Sequence, residues 1–257
     1  MKILVLIKQV PNVEDIIINA DTFTVDRSNA VDVLNPVDSH AVEAALSIRK
    51  DGDSVTILSM GPDSCEGIIR EGIGMGADEG IRITDDKLKG ADTLVTATTL
   101  SKAISHLGGY DYIFCGDVSA DGGTAQIPSK LGTMLGYSLL SRASKIEMTE
   151  DGLKIMRKAR TGFESLQGKC PLICSVTEDA NEPRSITMKN RMKAKKVEVS
   201  VLSADEIGLS EEDLHSPSSV IALFPPKKAA PGQIIDGANA AEKTSALFEI
   251  LKANHCL

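Results

Sequence analysis

The sequence predicts an α/β protein: a parallel sheet flanked by helices, with a C-terminal extension. Three observations carry that expectation. Short apolar runs alternate with helix-like segments through the first half of the chain. The alternation stops near Ser144, where strand-like runs follow one another without helices between them. Beyond Val201 the chain is punctuated by proline. Strands alternating with helices imply right-handed crossovers and a parallel sheet.

Ile3–Ile7 is an apolar run that reads as a buried strand. Residues 13–34 read as a short β excursion, with Ile16–Ile18, Phe23–Val25 and Val31–Val33 separated by Asn, Asp and Ser. Asn35-Pro36 starts a helix: Asn suits the N-cap, Pro the first helical position, and Asp38 the positive end. Val55–Leu58 is the second strand, broken by Gly61-Pro62, and Ser64 to Gly72 reads as a helix. Ile81–Ile83, a helix over Ala91–Leu107 and the strand Tyr112–Phe114 follow, then a helix over Thr124–Leu135. Lys145–Met148, Leu153–Met156 and Leu172–Val176 are the later strands. Pro217, Pro225-Pro226 and Pro231-Gly232 precede a final helix over Ala238–Lys252 with an apolar face. Residues 1–200 are therefore expected to form the α/β domain, and residues 201–257 a poorly packed arm that reaches onto a partner.

The bulk properties exclude several function classes. A chain of 257 residues can bury a substantial core. Its net charge of -8 argues against general nucleic-acid affinity, leaving Lys193-Ala-Lys195-Lys196 as one local basic candidate. Aromatics make up 3% and Trp is absent, so stacking platforms for single strands are not expected. The five cysteines, Cys65, Cys115, Cys170, Cys174 and Cys256, are odd in number and form no CxxC pair, which suggests reduced thiols in a cytosol. Cys170 and Cys174 share one face of a predicted strand with no nearby His or Cys partner, and no metal site is expected. Ile3–Ile7 is too short for a signal-peptide core, and no segment approaches the ~20 apolar residues of a membrane span. A soluble cytoplasmic protein without membrane insertion is expected.

The candidate site is the run Cys115-Gly-Asp-Val-Ser-Ala-Asp-Gly-Gly-Thr-Ala-Gln126 between a strand and a helix. Glycines permit close approach of the backbone to a ligand, and helix-start amides favour an anion. It matches neither GxGxxG nor GxxxxGK[ST], so a phosphate-holding loop and an ordinary strand-to-helix turn both stay open. In parallel sheets ligands sit beyond the carboxyl ends of strands. Lys8-Gln9-Val10, Met60-Gly61-Pro62 and Cys115-Gly116-Asp117 lie at three such ends. A second cluster, Gly74-Met-Gly76-Ala-Asp-Glu-Gly80, follows a helix and precedes a strand, an order that suits a helix C-cap better than a phosphate loop.

Taken in order, several stretches resemble the β subunit of electron transfer flavoprotein. They are Lys8-Gln9-Val10-Pro11, Asn35-Pro36, Gly74-Met-Gly76-Ala-Asp78, Asp121-Gly-Gly-Thr-Ala-Gln126, and Asn181-Glu-Pro-Arg184 followed by Met192-Lys-Ala-Lys-Lys196. The resemblance covers nearly the whole chain. It implies an adenine nucleotide alpha-hydrolase-like α/β domain in a heterodimer with an α subunit that holds the shuttling FAD. It also implies a second nucleotide in the β subunit: AMP in the housekeeping type, FAD with NAD(H) docking beside it in the anaerobic, electron-bifurcating type. Carried over by position, this nucleotide contacts Leu6, Asn35, Pro36, Val37, Asp38, Met60 and the loop Gly116, Asp117, Val118, Ser119, Ala120, Asp121, Gly122, Gly123, Thr124, Ala125, Gln126 and Ile127. The amides of Gly122, Gly123 and Thr124 are expected to bind phosphate, and Asp38 and Asp121 to orient the loop by accepting backbone amides or to contact a ribose hydroxyl.

Asn181–Arg191 matches the family's recognition loop, which implies docking of a flavin dehydrogenase, such as an acyl-CoA dehydrogenase, through Met188 with Arg184 and Lys189 beside it. Without the resemblance, Met188 reads as a core residue at a strand end. The chain departs from the family pattern at Arg157-Lys158-Ala-Arg160, where acidic residues are usual. The loop Asp121–Gln126 resembles the anaerobic form, which favours FAD over AMP. The function implied is electron transfer between NADH, ferredoxin or flavodoxin, and the dehydrogenase. A scaffold holding structural AMP is the alternative. An ATP-pyrophosphatase would need an SGGxDS-type loop after the first strand, where Lys8-Gln9-Val10-Pro11 stands.

Overall fold

The computed structural model describes residues 1–12, 17–18, 25–26, 31–218, 221 and 232–256. Ile16, Phe23, Thr24, Pro225, Pro226 and Pro231, named above, lie outside them. β1 (Lys2–Leu6) runs through the centre of the sheet. β2 (Gln9–Pro11) pairs with β5 (Asp32–Leu34), and β3 (Ile17–Ile18) with β4 (Val25–Asp26), in two small antiparallel ladders. α1 (Pro36–Ile48), β6 (Ser54–Met60), α2 (Glu66–Met75), β7 (Glu79–Ile83), α3 (Thr93–His106), β8 (Tyr112–Gly116) and α4 (Ile127–Leu135) then alternate. β9 (Ser138–Ala143) precedes the antiparallel strands β10 (Lys145–Thr149), β11 (Gly152–Ala159) and β12 (Gly162–Gly168). β13 (Leu172–Val176), α5 (Met188–Ala194), β14 (Val199–Leu202) and α6 (Ala240–Ala253) complete the order.

The main sheet has seven strands in the order β14-β7-β6-β1-β8-β13-β9, and every neighbouring pair is parallel. β1 is apolar throughout its buried length because both of its faces are covered. Ile3 and Val5 join one core with residues of α1 and α2, while Leu4 and Leu6 join the other with residues of α3 and α4. From β1 the chain steps outward through β6 to β7, then α3 returns it to β8 on the opposite side of β1. This reversal opens a crevice at the carboxyl ends of β1 and β8, the place where parallel sheets bind ligands.

Several boundaries differ from expectation for local reasons. α3 starts at Thr93 because the Asp92 carboxylate caps it, accepting the amides of Leu94 (2.9 Å) and Val95 (3.0 Å). α4 starts at Ile127, not Thr124, because Ala125 is left-handed with φ 53°. Asn35 stands at the N-cap of α1 without a side-chain cap bond; its amide group holds the loop at Val118 and Ala120 instead. β9, β12, α5 and β14 were not anticipated. Cys170 is exposed and precedes β13, whereas Cys174 is buried within it, so the two do not share a strand face. Gly76 caps α2 as expected, with φ 138° and its amide on Gly72 and Ile73 carbonyls.

At the C-terminal side, β14 spans the expected boundary at residue 200 as an edge strand of the sheet. Ile207, Leu209 and Leu214 then pack onto the core under α3. α6 has no buried residue, and Leu247 and Phe248 are exposed on it. Among the described residues, no helix is long and apolar enough to cross a membrane.

Candidate functional site

The crevice at the carboxyl edge is a cleft of about 1500 Å³. Its floor is apolar, from Leu6, Leu58, Ile83 and Leu100. The ends of β1, β6, β7 and β8 contribute Lys8, Met60, Thr84 and Gly116 to it, and the starts of α3 and α4 contribute Thr93 and Ile127.

Asp38 organises the crevice from the first turn of α1. Its carboxylate accepts the Lys8 amide at 2.7 Å and the Gly116 amide at 3.1 Å, and so ties the ends of β1 and β8 together. Gly116 is required for this approach: a Cβ there would lie 2.4 Å from Asp38 Oδ1. Asp38 is 5% exposed. Burial pushes its carboxyl up to about 7, against the opposing pull of its hydrogen bonds to Asn35, Lys8 and Gly116. Asn35, also buried, donates to the Val118 carbonyl (3.1 Å) and accepts the Ala120 amide (3.1 Å). These two side chains of one short segment fix where the loop after β8 begins.

The loop is built differently from expectation. The Gly122 amide is committed to the Asp121 carboxylate at 2.6 Å and the Gly123 amide to the Ser119 carbonyl at 3.0 Å. The amides of Thr124, Ala125 and Gln126 have no partner among the described residues. Ala125 is left-handed and Gln126 right-handed, with φ 53° and -93°. Successive residues of this alternation turn their amides into a concave, anion-binding nest. A left-handed alanine costs roughly 1–2 kcal/mol, a strain that collects at functional sites. Lys8 Nζ reaches both oxygens of Asp121 at 2.7 Å, which neutralises the acid beside the nest and holds its carboxyl below the usual range despite burial. Asp117 is half-buried, and burial raises its carboxyl against the pull of Arg142.

The comparisons with known proteins agree in one direction. A family model described as an electron transfer flavoprotein domain matches residues 22–207. The chain is 37% identical over 262 residues to the electron transfer flavoprotein subunit beta of Thermoanaerobacterium thermosaccharolyticum, covering 100% of both chains. It is 34% identical over 247 residues to the corresponding subunit of Megasphaera elsdenii, covering 91% of each. It is 30% identical over 262 residues to the caffeyl-CoA reductase-Etf complex subunit CarD of Acetobacterium woodii, covering 100% of both. The chain belongs to the electron transfer flavoprotein β-subunit family.

For this electron transfer flavoprotein β chain, the structure brings most of the expected site residues to one cleft. Leu6, Asn35, Asp38, Met60, Gly116, Asp117, Val118, Ser119, Gly122, Thr124, Ala125, Gln126 and Ile127 line it. Pro36, Val37, Ala120, Asp121 and Gly123 are not part of that lining; Val37 is buried, and the other four are exposed. The wall formed by residues 83–96, together with Lys130, Pro217 and Ser218, was missed. Ile83-Thr84-Asp85 is a fourth strand end, so the carboxyl-end argument applied to every strand would have found it. Nothing in the sequence marks Pro217 or Ser218. In the expected docking segment, Met188 opens α5 and is 74% exposed rather than a core residue at a strand end. Lys189 is exposed beside it. Arg184 is committed internally: its Nε and Nη2 donate to Glu43 at 2.7 and 2.8 Å. Arg157, in the basic departure, pairs with Glu164 across β11 and β12 at 2.7 Å.

Proposed function

We propose that this chain is the β subunit of a cytoplasmic, heterodimeric electron transfer flavoprotein. It passes electrons between NADH, ferredoxin or flavodoxin, and a partner flavin dehydrogenase, with FAD held in the cleft of this subunit. The observation that carries the reading is the cleft itself: an anion-binding nest at one end of about 1500 Å³ of mostly apolar space. Ordinary small-molecule sites span about 300–1,000 Å³, so a mononucleotide would leave much of this space empty. Descent from an adenine nucleotide alpha-hydrolase-like domain belongs to the same reading.

The residues present fit a nucleotide. The amides of Thr124, Ala125 and Gln126 take a phosphate, with the Thr124 hydroxyl as a further donor. Asp38 keeps the β1 and β8 ends in register beneath it, and Lys8 cancels the charge of Asp121. Leu6, Leu58, Ile83 and Leu100 exclude water from the apolar part of the ligand. Bound FAD would supply one- and two-electron redox chemistry. Met188 on α5 is the proposed contact for the dehydrogenase, and α6 the part of the arm that docks the α subunit. The relative in a caffeyl-CoA reductase-Etf complex supports a reductase or dehydrogenase partner. Buried, unpaired Cys65, Cys115 and Cys174 support a reducing compartment.

The test is cofactor content of the copurified heterodimer, with anaerobic NADH titration of the same sample. Two FAD per heterodimer and bleaching by NADH are expected. One FAD, one AMP and no reaction with NADH would replace the bifurcating role with single-flavin transfer, a reading favoured by the confinement of the unpartnered loop amides to one end of the cleft. Removal of residues 219–257 is expected to abolish pairing with the α subunit while leaving the domain folded. A flavin-replete heterodimer without them would refute the arm.

A further inference from the structure

α5 is held from outside rather than by its own packing. It is seven residues long, and Ala194 is its single buried residue. A helix this short is marginal in water, because nucleation costs more than so few bonds return. Residues 181–187, which lead into it, belong to no helix or strand. Yet Met188 and Met192, one turn apart, both face solvent, at 74% and 52% exposure. Contacts from other elements must fix the direction in which they point.

Two arginine–glutamate pairs supply those contacts, one before α5 and one after it. Glu43, on α1, accepts the Arg184 amide (3.1 Å), Nε (2.7 Å) and Nη2 (2.8 Å). Burial raises the Glu43 carboxyl, but the Arg184 bonds outweigh this and hold it below the usual range. At the other end, Arg70 of α2 donates Nη1 to the carbonyls of Ala194 (2.7 Å) and Val197 (3.1 Å), which closes the C-terminal turn of α5. Glu66 holds Arg70 in turn, accepting its Nε (2.9 Å) and Nη2 (2.6 Å) on one oxygen. Exposed ion pairs are generally worth little, but each of these is multidentate and each arginine or glutamate also reaches backbone.

Two further contacts reinforce the first pair. His40 Nδ1 donates to the Asn181 carbonyl (2.9 Å), and Asn181 Nδ2 donates to the His40 carbonyl (3.0 Å). Ile186 packs on α2, where a Cβ at Gly74 would lie 3.0 Å from Ile186 Cγ2, inside ordinary carbon contact distance. The glycine cluster that holds no phosphate therefore makes room for the segment that leads into α5.

We propose that Glu43 and Arg70 are positioning residues for docking of the flavin dehydrogenase: they clamp the two ends of α5 and so present Met188 and Met192 in one fixed direction. The inference rests on the docking reading of Met188. It adds that affinity for the partner is set by two pairs anchored on α1 and α2, which spare the partner the entropy of ordering the segment.

The experiment uses the holo-heterodimer as electron acceptor for an acyl-CoA dehydrogenase, with hydrogen exchange of the free heterodimer beside it. Glu43→Gln and Arg70→Gln are each expected to raise KM for the heterodimer about fivefold or more, with kcat and cofactor content unchanged. In a Met188→Ala, Met192→Ala background the same substitutions change KM by less than about twofold, because the side chains they aim are gone. Amides of residues 188–197 exchange faster in both variants, while those of β1 and β8 do not. Unchanged KM in both variants, full additivity with the methionine substitutions, or unchanged exchange overturns the clamps. KM unmoved by Met188→Ala and Met192→Ala together, or no reduction of the wild-type heterodimer, overturns the docking reading instead. The exchange measurement needs no partner and tests the clamps in either case.

Discussion

Two glycine-rich connections in this chain have similar composition and opposite character. In the one between α2 and β7, the available donors and acceptors are used. The Gly76 and Ala77 amides close the helix, the Asp78 amide bonds the Val55 carbonyl at 2.9 Å, and the Asp78 carboxylate takes the Val55 amide and Arg49, each at 2.9 Å. In the one between β8 and α4, three consecutive amides have no partner among the described residues and an alanine is held left-handed. Glycine content therefore does not distinguish a turn from a site here. Unsatisfied donors, held in place by strain and by a buried carboxylate, do.

The largest test of that contrast is the buried carboxylate. Asp38 titrates near 3.8 when unfolded and at about 7 in the native chain. Between those values the native state keeps a proton that the unfolded state has released. Its contribution is thus fully present below about pH 4 and is lost as pH rises through about 7, on the order of 4 kcal/mol in all. Asp38→Asn removes this decline, so urea unfolding of the two chains should converge or cross over that window. Parallel pH profiles would show that Asp38 is not the pivot. Next in size, Gly116→Ala is expected to cost about 1–3 kcal/mol, because its Cβ displaces Asp38, and to lower the nucleotide content of the purified protein.

The structural connection should respond differently. Asp78→Ala is expected to lose about 1–2 kcal/mol in denaturant unfolding, from an amide left unpaired, with nucleotide content unchanged. A fall in content would erase the distinction between the two connections. The smallest effect is at Ala125. Ala125→Gly relieves the left-handed strain and should raise stability by up to about 1 kcal/mol while weakening nucleotide retention, since the nest is then no longer held in one shape. Stability and retention rising together would mean that the strain serves no binding role.

The parallel sheet was legible because β1, β6, β8 and β13 are buried on both faces and read as mainly apolar runs, interrupted only by small polar residues such as Thr56 and Ser175. β9 and β14 were not, since Ser138-Leu-Leu-Ser-Arg-Ala143 and Val199-Ser-Val-Leu202 lie at the sheet edges and mix polar with apolar residues. α5 escaped because Met-Lys-Asn-Arg-Met-Lys-Ala presents a single buried residue, Ala194. In the site, the loop after β8 and the Asn35–Asp38 segment could be placed from their residues and the family resemblance. Which loop amides stay free could not, because that depends on Ser119, Asp121 and the φ of Ala125. Lys130 and Thr93 come together only through the packing of α3 against α4, which no local pattern encodes.

The pairing of β14 with β7 also sets an order of events during synthesis. Val199–Leu202 closes the open edge of Gly80–Ile83, some 120 residues earlier in the chain. Until residue 202 leaves the ribosome, β7 presents a free edge to any neighbouring nascent chain. Ser218, whose hydroxyl bonds the Asp92 cap of α3, is made later still and supplies part of the cleft wall. The cleft of this protein is therefore completed only after its sheet has been sealed, and a ligand arriving earlier meets an unfinished site.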